Sequence, residues 1–370
     1  MHYVISLALV ALALVLLLLI VTFFFSSDAR DHFIAFFSPF VIDSVVSCKT
    51  SEAVADELLT PALLNKLQGK VAIVTGCTSG GIGAQTAAIL AGRANMQVVC
   101  AGRTVKKLEV CIAEIKKTYP NAKLTPLLLD VSSLASVRAF VAAFEQYFPP
   151  QPVDANALTL LVNNAGIMAC PIGSTSADGV ELQMATNHLG PFLLTCLLSP
   201  RLKHAANAFP GLGARVVNVA SMAHALPKPF GAQPLPLNKR APPFVAYGRS
   251  KRANVLSAMA FAERFSKDGV IGKVSAFSLC PGNVRTNLGQ NNWGAFLVYE
   301  LFWFVHKTCS QGASTSLYCA LKPDLEQHSG SYFIHDAPRT TAGCTQEVAE
   351  VLWRESASLA GLSKKEQAAV

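Results

Sequence analysis

The stretch VAIVTGCTSGGIG, from Val71 to Gly83, constrains the fold of this 370-residue chain more than any other. An apolar run with the look of a buried parallel strand leads into a glycine-rich turn, and a helical pattern begins near Ile82. Glycine suits such a turn because the backbone takes positive φ and must approach an anion closely, while the next helix aims its unpaired N–H groups at that anion. The segment therefore predicts a strand, a phosphate-binding turn and a helix. Gly76, Thr78, Ser79, Gly80, Gly81, Ile82 and Gly83 are the candidate binding residues.

Strand and helix patterns alternate after it, which predicts an α/β fold: a Rossmann-type doubly wound parallel sheet, a single domain with helices on both faces. MQVVCAGR, Met96 to Arg103, reads as a second strand. An NAD-selective site carries an acid at the end of that strand, bonded to the ribose 2′-hydroxyl. Here Gly102 stands instead, and the guanidinium of Arg103 can pair with a 2′-phosphate through two parallel donors, which favours NADP(H). An ordinary surface arginine is the alternative, since Lys106 and Lys107 follow. The strands KLTPLLLDV and ALTLLVNNAG close on Asp130 and Val131 and on Asn163, Asn164, Ala165 and Gly166. In a doubly wound sheet these ends share the edge where a dinucleotide lies, although Asx-Gly turns also occur with no ligand.

AYGRSKRAN sets Tyr247 and Lys251 four residues apart, on one face of a helix. A free phenol has a pKa of about 10. A neighbouring cation favours its ionised form, so the expectation is a tyrosine that exchanges a proton near neutral pH. ARVVNVASMAH predicts a strand ending at Ser221, whose hydroxyl can donate to a substrate carbonyl or simply cap the strand. Asn187, in TNHLGPFLLT, falls within a long apolar helix and needs a partner: backbone carbonyls, a relay water, or both.

In order, these motifs run from the glycine turn through the basic strand end, Asp-Val, Asn-Asn-Ala-Gly, Asn187, Ser221 and Tyr-x-x-x-Lys to CPGNVRTNL at Cys280. That succession resembles the short-chain dehydrogenase/reductase family, from about Gly69 to about Leu362. NHLGPFLLT, VVNVASMAH, YGRSKRAN, KTCSQGASTSLYCAL and SGSYFIHDAP resemble its retinol dehydrogenase-like branch. The resemblance implies that Tyr247 exchanges the proton, Lys251 lowers its pKa and holds the nicotinamide ribose, Ser221 orients the substrate oxygen, and Asn187 anchors a relay water. It also implies that Pro281, Gly282, Val284 and Thr286 lie beside the nicotinamide and pyrophosphate. Two departures stand out. The turn holds one residue more than the family's Thr-Gly-x-x-x-Gly-Ile-Gly, so it must bulge, with Gly80 or Gly81 at the middle position. Cys280 replaces a histidine common in the branch.

From Val4 to Phe25 the chain is uncharged and long enough, at 1.5 Å per residue, to cross about 30 Å of hydrocarbon. This predicts an N-terminal transmembrane helix, with cleavage at SSDA as the alternative. Phe33 to Val46 is apolar but broken by Pro39 and Asp43, and suits the membrane interface. The expected organisation is anchor and interfacial segment over 1–46, connector over 47–68 with a helical pattern interrupted by Pro61, NADP-binding domain over 69–362 and tail over 363–370. Lys49, Lys66 and Lys70 follow the anchor, and no Asn-x-Ser/Thr acceptor occurs. Both suit a catalytic domain facing the cytosol, and the expected location is the endoplasmic reticulum membrane.

The net charge of +8 is dispersed without aromatic interleaving, so nucleic acid is not the expected partner; the charge suits a solvated surface first and attraction to membrane lipid, the expected partner of the anchor, second. The ten cysteines show no metal-ligand spacing. A proline-crowded flap from Ala223 to Phe244 and an apolar lid or core helix from Trp293 to Val305 should shape a pocket for a hydrophobic substrate. Together these features predict a membrane-anchored, NADP-dependent reductase or dehydrogenase acting on a retinoid-like, sterol-like or fatty carbonyl or alcohol, with reduction the expected direction. A homodimer through the helices of Asn187 and Tyr247 is implied by the resemblance; a C-terminal helix near Trp353 would favour a monomer. The alternatives are a catalytically silent NADP-binding scaffold and, on the same fold, double-bond reduction.

Overall fold

The computed structural model describes residues 49–149, 156–225, 240–267, 273–286 and 306–370. The anchor and interfacial segment, most of the proline flap and the 293–305 lid lie outside them. Among the described residues no helix is long and apolar enough to cross a membrane.

Eight strands form one sheet in the order β3-β2-β1-β4-β5-β6-β7-β8, parallel except for the last pair. They are β1 Val71–Thr75, β2 Gln97–Gly102, β3 Lys123–Leu128, β4 Leu158–Asn163, β5 Ala214–Val219, β6 Val274–Cys280, β7 Tyr332–Ile334 and β8 Ala337–Arg339. The chain winds outward from β1 to β3 and then crosses back to β4 beside β1. That reversal opens a crevice at the carboxyl ends of β1 and β4, where ligands of such sheets bind. The strand ends are shorter than expected: β3 stops before Asp130 and β5 before Ser221. Both residues thus sit in the loops of the crevice rim.

β1 is apolar throughout because it is covered on both sides. Val71 and Ile73 face one core, Ala72 and Val74 the other. The first core is closed by α5 Leu134–Tyr147, α6 Gly190–Ala208, α7 Pro243–Lys267 and α9 Gln346–Leu359. The second is closed by α3 Ile82–Gly92, α4 Val105–Thr118 and α8 Cys309–Leu321, together with α1 Ser51–Leu58 and α2 Pro61–Leu67. Trp353 of α9 packs edge-on against Phe192 and Phe261, so α9 covers the seam between α6 and α7.

Two segments are more ordered than their sequence suggested. In the expected connector, Val54, Ala55 and Leu58 at helical spacing join the second core, and Thr50 caps α1. Pro61 does not interrupt a helix there; it starts α2, where its missing N–H costs nothing. In the expected tail, Ser363 and Glu366 form a capping box for α10 Lys364–Ala368, Glu366 pairs with Arg138 at 2.6 Å, and Val370 is buried.

Candidate active site

The glycine turn is fixed from behind by the end of β4. The Asn164 Nδ2 donates to Thr75 O at 2.7 Å, and the Thr75 hydroxyl accepts from the N–H groups of Asn164 and Ala165. A Cβ at Gly83 would lie 2.5 Å from Asn164 Nδ2 and 2.7 Å from Gly76 O, and one at Gly76 would lie 2.9 Å from the Ala165 Cα. Only hydrogen fits at either position. Asn164, expected at the cofactor, therefore spends its side-chain amide on the turn itself.

The turn places the extra residue. Gly81 is the N-cap of α3 with extended φ of −112°, the position directly before Ile-Gly, so it fills the middle place of the family pattern. Gly80 is the inserted residue: its φ is +68°, and no atom lies within 4 Å of where its Cβ would point. The bulge thus projects into open space at a residue that adopts the left-handed region without strain. No side chain caps α3, so its first-turn N–H groups remain oriented at the crevice.

Across the crevice, the catalytic candidates converge. Asn187 sits in a π-helical stretch, Ala185–Leu189, ahead of α6. The long apolar helix of the sequence reading therefore starts with an insertion, a distortion that concentrates at functional sites because it re-aims a side chain. The Asn187 Oδ1 accepts from Ile167 N at 2.8 Å, and its Nδ2 donates to Ile167 O and to Ser250 Oγ, which in turn donates to Tyr247 O. The Lys251 Nζ donates to Val219 O at 2.9 Å. A Cβ at Gly166 would lie 3.2 Å from both Lys251 Nζ and Asn187 Oδ1, so that glycine lets the β4 turn pack on the pair. Ser221 bonds the Tyr247 phenol from the other side and accepts from Ala223 N at 3.1 Å.

Burial dominates the electrostatics. It raises the Tyr247 phenol above its ordinary value, and the Ser221 hydrogen bond only partly offsets this. Burial also lowers the Lys251 ammonium to about 8. The expected acidification of Tyr247 by Lys251 is not what the geometry gives: the ammonium is 5.7 Å from the ring centroid and bonded to Val219. Desolvation outweighs a cation at that distance.

Of the remaining candidates, Arg103 is exposed beside the crevice. The Asp130 Oδ1 accepts from the N–H and hydroxyl of Ser132, so that carboxylate also organises its own loop. The Val131 backbone packs under Gly190, where a Cβ would collide with the Val131 carbonyl. Pro281, Gly282, Val284 and Thr286 line up after β6, and Val284 bridges to Lys307. Three participants escaped the sequence reading. Lys307 is buried, with its side chain over Gly282, which has φ of +83°. The Cys309 Sγ bonds Gly80 O at 3.0 Å, and the His224 Nδ1 meets Ser221 O at 2.7 Å. The capping box at Thr308 and Gln311 was the available signal for the Cys309 helix start. Among the described residues all cysteines are free, and none joins a metal-binding group.

The family model for short chain dehydrogenase matches residues 70–295. The chain belongs to the short-chain dehydrogenase family. Retinol dehydrogenase 12 of Mus musculus is 39% identical over 301 residues, covering 80% of this chain and 88% of that protein. Short-chain dehydrogenase TIC 32 A, chloroplastic, of Brassica napus is 38% identical over 265 residues, 71% of this chain and 79% of that one. A solved structure of an uncharacterized protein from Mycobacterium paratuberculosis is 30% identical with a TM-score of 0.60, covering 83% of this chain and 97% of that chain. Human retinol dehydrogenases 12 and 11, at 40% and 38% identity, place this short-chain dehydrogenase in the retinol dehydrogenase-like branch. It is an oxidoreductase acting on alcohols with a nicotinamide dinucleotide. The crevice fits that cofactor: the helix end is uncapped, and Gly76 and Gly83 leave no room for side chains beneath it.

Proposed function

We propose that this short-chain dehydrogenase is anchored in the endoplasmic reticulum membrane by Val4 to Phe25, faces the cytosol and reduces a hydrophobic carbonyl of retinoid, sterol or fatty type with NADPH. The observation that carries the proposal is the hydrogen-bonded juxtaposition of Ser221 and Tyr247 on the crevice, with Lys251 and Asn187 behind them. Gly102 and Arg103 at the end of β2 support a 2′-phosphate in place of a bare ribose. The similarity to retinol dehydrogenases supports a lipid-soluble substrate.

The bound dinucleotide supplies the hydride. Ser221 holds the substrate oxygen by donating its hydroxyl hydrogen, which stabilises charge as it develops there. Tyr247 gives that oxygen a proton. A phenol is already protonated at neutral pH at its ordinary value, so Tyr247 rests in the donor form that reduction requires; burial, which raises it further, makes it a weaker acid until substrate and dinucleotide change its surroundings. Lys251, lowered to about 8 by burial, can return a proton to the phenol only through a relay, because its Nζ is bonded to Val219 O and lies 5.7 Å from the Tyr247 ring centroid. Asn187 keeps the π turn and, through Ser250, the backbone of Tyr247 in register.

The test is a turnover screen of the detergent-purified chain with retinal, steroid ketones and long-chain aldehydes, using NADPH and NADH in parallel, on wild type and Tyr247→Phe. Carbonyl-dependent oxidation with a preference for NADPH is expected. The variant should lose about 10²- to 10⁴-fold in kcat while binding dinucleotide as before. Tight dinucleotide binding with no turnover of any carbonyl in wild type would make the chain a binding module instead.

A further inference from the structure

We propose that Glu52 is a positioning residue for the dinucleotide turn, bracing the first turns of α3 and α8 so that the inserted Gly80 and the uncapped start of α3 hold one geometry. This rests on the dinucleotide reading of the crevice. Glu52 lies in the first turn of α1, with its N-cap at Thr50. Its Oε1 accepts from Gln85 Nε2 at 2.7 Å, and its Oε2 accepts from Ser310 Oγ at 2.5 Å and Ser51 Oγ at 3.0 Å. Ser51 closes the bracket: its N–H donates to Ser310 Oγ, and its hydroxyl accepts from Gln85.

Both partners sit one step from the turn. Gln85 belongs to the first turn of α3, and its N–H donates to Gly81 O. Ser310 follows Cys309, whose thiol donates to Gly80 O at 3.0 Å and reaches Arg285 O at 3.5 Å. Gly312, one turn on, lets α8 close on Ile82 and Val284: a Cβ there would meet both. One carboxylate thus ties together the helix that follows the turn, the helix that grips its bulge and, through Cys309, the 281–286 segment.

The chemistry requires an anion. A carboxylate is acceptor-only and can serve all three donors. The starts of three helices meet there, and their dipoles favour negative charge. Burial works against the charged form, but the hydrogen bonds from Ser310, the backbone and Ser51 hold the Glu52 carboxyl below its ordinary value. Glu52 and Ser310 both lie outside the stretch matched by the family model, residues 70–295. An inserted residue in the turn is what such a brace would steady.

The experiment measures dinucleotide Kd by NADPH fluorescence, together with KM, kcat and Tm, on the full chain in detergent. It compares wild type with Glu52→Ala, Ser310→Ala and the double variant. Each single variant should raise Kd and KM for NADPH about tenfold, the order expected for losing a hydrogen bond to a charged group. At saturating NADPH, kcat should stay within about twofold. The double variant should be no worse than the weaker-binding single, because both remove one brace. If Glu52→Ala does not accumulate, Glu52→Gln and Ser310→Ala carry the same test. Wild-type NADPH affinity in every folded variant, whatever happens to Tm, overturns the proposal. A wild type that binds no dinucleotide overturns the cofactor reading instead.

Discussion

The glycine turn from Thr75 to Gly83 and the cluster around Tyr247 face each other across one crevice but are built from opposite materials. The turn is backbone and missing side chains: at Gly76 and Gly83 a single methyl has no room. The cluster is side chains buried to near completion, with Asn187 at 1%, Lys251 at 3% and Tyr247 at 6% exposure. The turn therefore answers to volume and φ, the cluster to charge and protons. A substitution in one should leave the signature of the other intact.

The largest effect on dinucleotide affinity is expected at Gly83→Ala. The added methyl meets Asn164 Nδ2 and the Gly76 carbonyl, neither of which is the loose end of a flexible chain. The β1 end, the β4 end and the start of α3 must all shift. Overpacking of this kind costs about 1–3 kcal/mol. Dinucleotide affinity should fall at least as far as with any loss of a single hydrogen bond, while the proton-linked behaviour of the cluster stays unchanged. Calorimetry and fluorescence titration of the variant check both halves. Unaltered affinity would mean that the turn does not read the anion.

The second effect belongs to the cluster and is read by pH. Burial lowers Lys251 from 10.5 to about 8, so between those values the unfolded chain binds more protons than the folded one. Stability contributed by Lys251 therefore rises with pH across that window, by a total on the order of 3 kcal/mol. Below about 8 the cost of burying the ammonium is present in full. The buried thiols Cys77, Cys111, Cys196 and Cys319 are pushed up and act in the opposite sense, as does Tyr247 above 10. The measurement is thus the difference in stability between wild type and Lys251→Met, without dinucleotide, from pH 8 to 10. A difference that stays flat with pH would mean that the lysine is hydrated.

How far each region could be read from the sequence follows from the same contrast. Gly76, Gly83 and the Tyr-x-x-x-Lys step are local: a positive φ, a tight approach and a helical repeat each leave a mark within a few residues. The alternation of apolar strands gave the sheet for the same reason. What escaped was non-local. Nothing near Asn164 announces that its amide will bond Thr75, and nothing near Tyr247 announces that burial will outweigh Lys251. The α1 segment carries a helical pattern that Pro61 interrupts and so reads as a connector, yet its Val54, Ala55 and Leu58 close a core made by α3 and α8. The π turn at Asn187 left no compositional trace at all.

The smallest effect tests the contrast inside the turn, between two glycines three residues apart. Gly83 is required by space, Gly80 only by φ, since a Cβ at Gly80 would meet nothing within 4 Å. Gly80→Ala therefore loses only the left-handed preference, about 1–2 kcal/mol, and Gly80→Asn, whose side chain tolerates that region, should lose less. For a sheet of this size the shift in Tm is a few degrees, about 2–4 °C per kcal/mol. NADPH affinity should change less than in Gly83→Ala, because a methyl at Gly80 meets nothing within 4 Å whereas one at Gly83 displaces Asn164 and the Gly76 carbonyl. The order Gly83→Ala, then Gly80→Ala, then Gly80→Asn is the sharp outcome. If Gly80→Ala instead matched Gly83→Ala in lost affinity, the inserted residue would itself line the anion, and the bulge would be part of the cradle.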